Sequence, residues 1–446
     1  MANSRKSNSD DFTHRLAGQL AALIPPHSSI LIAYSGGVDS VVLLHILHHL
    51  SQRYAWQLSA LHVHHGISPD ADAWAEFCEQ RCFAYNISFH LERVDISPLR
   101  ERGIEAAARQ LRYQAFANHR CDFLALAHHA DDQAETLMLQ LLRGSGVRGA
   151  SAMPMLVQRE VRWLRPLLDS TRAEIVAYAQ SHHLSWIEDA SNADDSYPRN
   201  FLRHQVLPVL ARRFPAYRQT LARSAQHFAE ASALLDELAQ LDAVSAVTGQ
   251  TLQVIALKQL SSARAKNLMR YFLQQLNAPV PQTVQLENML WQLCHARGDA
   301  QLCYAYAGWE VHRYRDEVFV SPGLPEIDKT FCLAWHHEPA LYWAGLDAHI
   351  DFVPTQGRGI SLAKLRAAPV TLRVRQGGEL FRPHARGSTR KLKNWLQEQN
   401  VLPWLRDRVP LLFCGEELVC AAGAVAAVYQ ASAGEESVEM RVNPRF

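Results

Sequence analysis

The chain has 446 residues, well beyond the roughly 100–200 of a single domain, so two or three domains are expected. Hydrophobic residues make up 48% and charged residues 20%, which excludes a mostly disordered chain. A formal net charge of +1 excludes an evenly basic surface, so any nucleic-acid contact must come from local patches.

Met1 to Phe12 is polar and mixed in charge, without the apolar run of a signal peptide. The longest apolar run, Leu418 to Tyr429, is too short to span a bilayer. A cytoplasmic protein with no membrane partner is expected. The eight cysteines contain no C-x-x-C pair, and Cys78 and Cys82 read as reduced core thiols.

From about Ser28 to Trp186 short β-rich runs alternate with helical stretches. Strands are expected at Ser29–Tyr34, Gln57–Val63, Ile87–Val94, Asp122–Ala127 and Val161–Leu164. Helices are expected at Asp39–Leu50, Ala71–Tyr85, Ile104–His119, Asp131–Leu142 and Thr171–His183. This alternation predicts an α/β fold, a doubly wound parallel sheet whose ligands bind beyond the carboxyl ends of the strands. After Phe214, amphipathic helices at Tyr217–Val244, Lys258–Leu276 and Gln282–Arg297, then a hairpin over Gln301–Val320, predict a mainly helical domain. A less regular stretch follows. From Val370 a small α+β domain is expected, with a helix at Lys391–Gln399. The expected divisions are 1–214, 215–322, a linker over 323–369, and 370–446.

Ser35-Gly36-Gly37-Val38-Asp39-Ser40 follows the apolar strand Ile30–Tyr34 and opens the helix that continues through Val41-Val42-Leu43-Leu44. Two glycines at a strand-to-helix turn allow close backbone approach to a phosphate, and the helix start adds positive potential. Ser35 and Ser40 can donate to phosphate oxygens. Asp39 would repel bare phosphate, so it points to a bridging Mg²⁺. The plainer alternative is an ordinary turn capped by Asp39 and Ser40. The loop resembles the PP-loop of the N-type ATP pyrophosphatases, S-G-G-x-D-S, which implies cleavage of ATP to AMP and pyrophosphate. A rival pattern, Gly144-Ser145-Gly146-Val147-Arg148-Gly149, follows a helix instead of a strand and reads as a flexible loop near the active site.

His128-His129-Ala130-Asp131-Asp132-Gln133-Ala134-Glu135-Thr136 begins where the strand Phe123–Ala127 ends. Asp132 and Glu135, or Asp131 and Glu135, share a helical face. They serve the helix dipole alone, or bind Mg²⁺ or orient an attacking amine. Arg109 and Arg112, at i and i+3, pair with surface acids or stabilise an α-phosphate. His62-Val63-His64-His65-Gly66 ends a strand, and a histidine there touches a nucleoside or is a plain polar strand end. Glu188 to Arg203 is dense in acids and amides followed by Arg199-Asn200 and Arg203, unusual for a passive linker.

Taken in order, S-G-G-x-D-S, H-V-x-H-G, A-R-x-x-R-Y, H-x-x-D-D-Q-x-E-T and E-D-x-S-N-x-D…R-N-x-L-R resemble the tRNA(Ile)-lysidine synthetase family over Ser35 to Arg203. Arg390-Lys391-Leu392-Lys393 and Pro403-Trp404-Leu405-Arg406-Asp407 resemble that family's C-terminal domain. The resemblance implies a bacterial ligase that uses ATP and Mg²⁺. It would adenylate the C2 oxygen of the wobble cytidine in CAU-anticodon tRNA(Ile), and free L-lysine would then displace AMP to form lysidine. On that reading Ser35, Gly36, Gly37, Val38, Ser40, His65 and His128 bind ATP, and Asp39 binds Mg²⁺. Asp132 and Glu135 bind metal or hold and deprotonate the lysine ammonium, and Arg109 or Arg112 faces the α-phosphate. Asp189, Asn192, Arg199, Asn200 and Arg203 bind substrate.

Between Thr371 and Pro410 nine basic residues stand against three acids, a local net of +6. Arg390, Lys391, Lys393 and Arg406 are the expected tRNA contacts there. Trp395 and Trp404 stack on bases or pack in the core. The alternatives are another PP-loop tRNA-modifying enzyme such as a thiolase, or a non-catalytic nucleotide- and tRNA-binding protein. The sequence sets no oligomeric state and leaves a homodimer open.

Overall fold

The computed structural model describes residues 2–98, 103–158, 160–189, 193–297 and 302–443. Two compact units divide at Leu235/Asp236.

The first unit is built on five parallel strands, β1 (Ser29–Ala33), β2 (Gln57–His64), β3 (Ser88–Arg93), β4 (Phe123–Ala125) and β6 (Arg162–Leu164), with a short antiparallel β5 (Leu156–Val157) at the edge. Their spatial order is β3-β2-β1-β4-β6-β5. The order reverses between β1 and β4, the position at which doubly wound sheets bind ligands. Strand alternation explains why both faces are covered. Ile30 and Ile32 point into one core with Leu16, Leu43, Cys78, Cys82 and Ile175, whereas Leu31 points into the opposite core with Leu61, Phe116 and Leu124. The first core takes α1 (Ala2–Leu23), α2 (Val38–Tyr54), α3 (Ala71–Ala84) and α7 (Arg172–Ser181), and the second takes α4 (Ile104–Ala117). Cys78 and Cys82 are free, buried thiols, as their spacing leads one to expect.

α5 (Ala130–Leu142) leaves the end of β4, and α6 (Val147–Ala150) follows. The stretch from Gly144 to Gly149, expected to be a flexible loop, therefore contains a short helix, whose Ala150 packs against Leu137 and Ala225. After α7 come α8 (Pro198–Phe201), a π-helical turn over Leu202–Val206, α9 (Leu207–Arg213) and the start of α10 (Tyr217–Ala246). α1 was not legible as a helix. Phe12, Leu16, Ala17 and Leu20 mark its buried stripe.

In the second unit three helices, Val254–Gln259, Ser262–Gln275 and Thr283–His295, share a core with the sheet that contains Thr251–Gln253, Leu302–Tyr306, Trp309–Tyr314 and Glu317–Pro322. The expected helix Lys258–Leu276 is two helices, because the Ser261 hydroxyl caps a fresh start by accepting from Arg264 N. The expected hairpin is a three-stranded meander. The expected linker over 323–369 is corrected outright. Cys332–Ala334 pairs with Val370–Arg373, and Ala348–Gln356 pairs along most of its length with Glu436–Asn443. Residues 323–369 thus contribute to the C-terminal β core, around Trp343, Ile350, Phe352, Leu372, Trp395 and Leu412.

Candidate active site

The turn after β1 is shaped by Gly36. Its φ of +83° is costly for any residue with a Cβ, and a Cβ there would collide with Ile187 Cδ1. Ile187 N donates to Gly36 O at 2.9 Å, so the segment after α7 lies against the loop. Gly37 has φ −68°, and a methyl group placed on it would come no closer than 3.6 Å to a neighbouring atom, so its lack of a side chain serves open space above the loop. Ser40 Oγ donates to Gly37 O at 2.9 Å and lies 3.2 Å from Ser35 Oγ, which fixes both hydroxyls at the helix start. The Val38 side chain is buried in the core, leaving its backbone at the mouth of α2.

Asp39, in the first turn of α2, faces the first turn of α5 across the switch point. Its Oδ1 lies 3.7 Å from His129 Nε2, and its Oδ2 accepts from Arg172 Nη1 at 3.0 Å. Asp39 Oδ1 is buried and makes no hydrogen bond among the described residues, which fits a carboxylate oxygen able to hold a cation. Burial pushes the Asp39 carboxyl above its ordinary range, against the pull of His129 and Arg172.

His129 N-caps α5, with its backbone N–H donating to Asp132 Oδ2 at 3.1 Å and its Nε2 3.4 Å from the same oxygen. Asp132 Oδ1 lies 3.3 Å from Arg203 Nη2. Burial pushes Asp132 up, but the His129 and His128 rings and the Arg199 guanidinium outweigh it and hold the carboxyl below its ordinary range. Glu135, one turn on, is completely buried. Arg203 meets it with two hydrogen bonds, Nε to Oε1 at 2.7 Å and Nη2 to Oε2 at 2.9 Å, and Arg199 Nε stands 3.2 Å from Oε2. Arg199 Nη2 also donates to Thr136 Oγ1 at 2.9 Å. Arg203 sits in the π-helical turn, where the wider winding re-aims side chains.

The other expected residues are distributed around this core. His128 is electrostatically linked to Asp132, Arg199 and Arg109, and burial pushes its imidazole down to about 4. His65 lies 3.5 Å from Arg112 Nη2 and is also pushed down to about 4, by burial and then by Arg112. Arg109 lies over the Tyr113 ring, 4.9 Å from its centre. Asp189 is half-buried two residues beyond Ile187. Asn200 is buried and donates to Asp194 O at 2.9 Å, holding its own loop. Asn192 lies outside the described residues.

Two residues essential to this geometry carried no sequence signal. Arg172 donates its backbone N–H to Asp131 Oδ2 at 3.0 Å while its side chain reaches Asp39, so the start of α7 bridges the two acidic helix starts. Arg218 on α10 pairs with the other oxygen of Asp131.

The tRNA set needs one correction. Arg406 is buried, donating to Val401 O at 2.9 Å and reaching Tyr314 OH at 3.4 Å, so its guanidinium holds the fold and does not face a phosphate backbone. Lys391 and Lys393 are exposed, and Arg390 is paired with Glu398 at 2.5 Å. Trp395 is buried in the core, and Trp404 is stacked on His312.

A parallel sheet in this order, with a Gly-Gly turn after β1 facing an acidic helix start after β4, defines a PP-loop ATP pyrophosphatase, and residues 10–210 match the PP-loop domain model. Residues 252–319 match the TilS substrate binding domain and residues 370–442 the TilS substrate C-terminal domain. The chain is 41% identical to a tRNA(Ile)-lysidine synthase of Nitrosomonas europaea over 100% of its length and 98% of the relative's. It is 37% identical to one of Coxiella burnetii over 97% of each chain. The chain belongs to the tRNA(Ile)-lysidine synthase family.

Proposed function

We propose that the protein joins free lysine to C2 of the wobble cytidine of a CAU-anticodon tRNA(Ile), at the cost of ATP. As a member of its family it is an ATP-using ligase that modifies tRNA. A thiolase or a non-catalytic binding protein is not favoured by family models that match in all three parts of the chain. In the first step the cytidine C2 oxygen attacks the α-phosphorus of ATP, and the bond to pyrophosphate breaks. In the second the ε-nitrogen of lysine attacks C2, the C2–O bond breaks, and AMP leaves as the amine gives up its proton.

The residues divide the work by their surroundings. The backbone of Gly36, Gly37 and Val38 and the hydroxyls of Ser35 and Ser40 hold the pyrophosphate end of ATP at the helix start. Asp39 would hold Mg²⁺, which when bound neutralises phosphate charge. Asp132, kept ionised, holds the lysine ammonium by charge. Glu135 has both oxygens taken by arginine and acts as a positioning residue, aiming Arg203 and Arg199 at the reacting groups. Arg109 and Arg112, near His128 and His65 respectively, supply positive charge toward the α-phosphate. Lys391 and Lys393 contact tRNA phosphates.

The observation that carries this reading is the convergence of Asp39, His129, Asp132, Glu135 and Arg203 at the strand-order reversal. Incubation with ATP, labelled lysine and tRNA transcripts tests it. Label should enter a CAU transcript and not one with uridine at the wobble position. Equal labelling of both, or no lysine label but sulfur entering the transcript when a sulfur donor replaces lysine, contradicts it.

A further inference from the structure

In the second unit, the meander gathers three side chains that the ligase chemistry does not use. The antiparallel register sets Cys303 directly opposite His312. Glu310 lies two residues before His312, so strand alternation places all three on one face. Their ligand atoms, one from each residue, lie within 4.8 Å of one another. Glu310 Oε2 and His312 Nε2 are 2.9 Å apart. The His312 ring is buried and stacked on Trp404, with centres 3.9 Å apart and planes 7° from parallel. A cavity of about 150 Å³ opens beside Cys303, His312, Pro403 and Trp404.

We propose that Cys303, Glu310 and His312 form a site for a thiophilic divalent cation of the zinc class, with a fourth position open to the cavity. The donor set decides the class of ion. Thiolate and imidazole favour zinc-like ions, whereas Mg²⁺ and Ca²⁺ prefer shells made wholly of oxygen. Charge also balances, since a thiolate and a carboxylate neutralise a divalent ion. Arg313 borders the cavity, but its guanidinium donates to Leu293 O, Ala296 O and Arg315 O and pairs with Asp316, so its charge is already taken up. The Trp404 stack holds the imidazole plane, the kind of outer support that bound histidines usually have. On binding, the Cys303 thiol gives its proton to solvent and a metal–sulfur bond takes its place. The site shares no residue with the ligase chemistry, so its test stands apart from that of the proposed function.

The full chain, reduced and stripped with chelator, is titrated with Co²⁺ and read by its visible and near-ultraviolet absorption. One cobalt per chain should bind with a thiolate-to-cobalt charge-transfer band that Zn²⁺ abolishes. Cys303→Ser, at an exposed position and checked for folding by circular dichroism, should lose the band. Glu310→Gln should bind roughly tenfold more weakly. The proposal is overturned if excess cobalt gives no such band while Cys303 is confirmed reduced, or if Cys303→Ser keeps the full band.

Discussion

Arg203 grips Glu135 with two nitrogens, at 2.7 and 2.9 Å, and the carboxylate it grips is fully buried. A buried charge of this kind is tolerable only while its partner is present. The pair therefore links the π-helical turn to α5 and fixes where the positive charge of Arg203 points.

Removing Arg203 takes both hydrogen bonds from the buried carboxylate and leaves Arg199, 3.2 Å from Oε2, as its remaining cation. Arg203→Ala should lose about 3–5 kcal/mol of stability in the first unit. Glu135→Gln should lose less, because an amide needs no counter-charge. In a double-mutant cycle the two changes should couple by about 1–3 kcal/mol, read by denaturant melts. Independent, additive effects would show that the pair does not act as a unit. Both variants should also lower kcat more than they raise KM for ATP.

The two loop glycines should respond differently. Gly36→Ala meets a positive φ and Ile187, so it should cost about 1–3 kcal/mol of stability and disturb the loop. Gly37→Ala has an ordinary φ and room for a methyl, so it should fold as the parent does. If Gly37→Ala nonetheless binds ATP more weakly, the methyl is obstructing phosphate approach. Equal ATP affinity in calorimetry would remove Gly37 from the phosphate cradle.

Acid should weaken the first unit through its buried histidines. Burial, then the neighbouring histidines His49 and His182, push His45 down to about 4, and His65 and His128 are also pushed down to about 4. At these histidines the unfolded chain binds more protons than the folded one between about pH 4 and 6.5, so the stability they contribute falls as pH falls through that window. His45, hydrogen-bonded to Tyr178 OH at 3.0 Å, should account for at most about 3 kcal/mol of the loss. His45→Asn should give a shallower slope of melting temperature against pH. An unchanged slope would refute the assignment.

The basic residues of the C-terminal unit should separate into two kinds. Replacing Lys391 and Lys393 together with Ala should raise KM for tRNA, leave ATP binding unchanged, and flatten the salt dependence of tRNA binding by roughly one unit per lost phosphate contact. Arg406→Ala should instead lower the melting temperature, because the Val401 carbonyl and the Tyr314 hydroxyl and ring lose the buried guanidinium they face. A destabilised lysine variant with normal tRNA affinity would reverse the assignment.

What the sequence made legible was local. β1, the Gly-Gly turn and α2 could be read together because the apolar run, the turn chemistry and the helix start agree within one continuous segment, and the acidic first turn of α5 directly after β4 was readable for the same reason. The parts that could not be read depend on partners distant in the chain. The strand Ala348–Gln356 contains Pro354, pairs locally only with the short strand Ala340–Trp343, and makes its longest ladder with Glu436–Asn443, far along the chain. Arg172 bridges Asp39 and Asp131 only after α7 folds against α2. A count of basic residues gave Arg406 the same weight as Lys391, since burial against Val401 and Tyr314 is a property of packing and not of composition.

The most direct measurement is mass spectrometry of the wobble nucleoside in CAU-anticodon tRNA(Ile) after reaction with ATP and lysine. A cytidine that gains one lysine with loss of water, formed only when ATP is present and absent with Asp132→Ala, is the expected result. An unmodified cytidine, in protein that binds both ATP and the tRNA, would contradict the proposed chemistry.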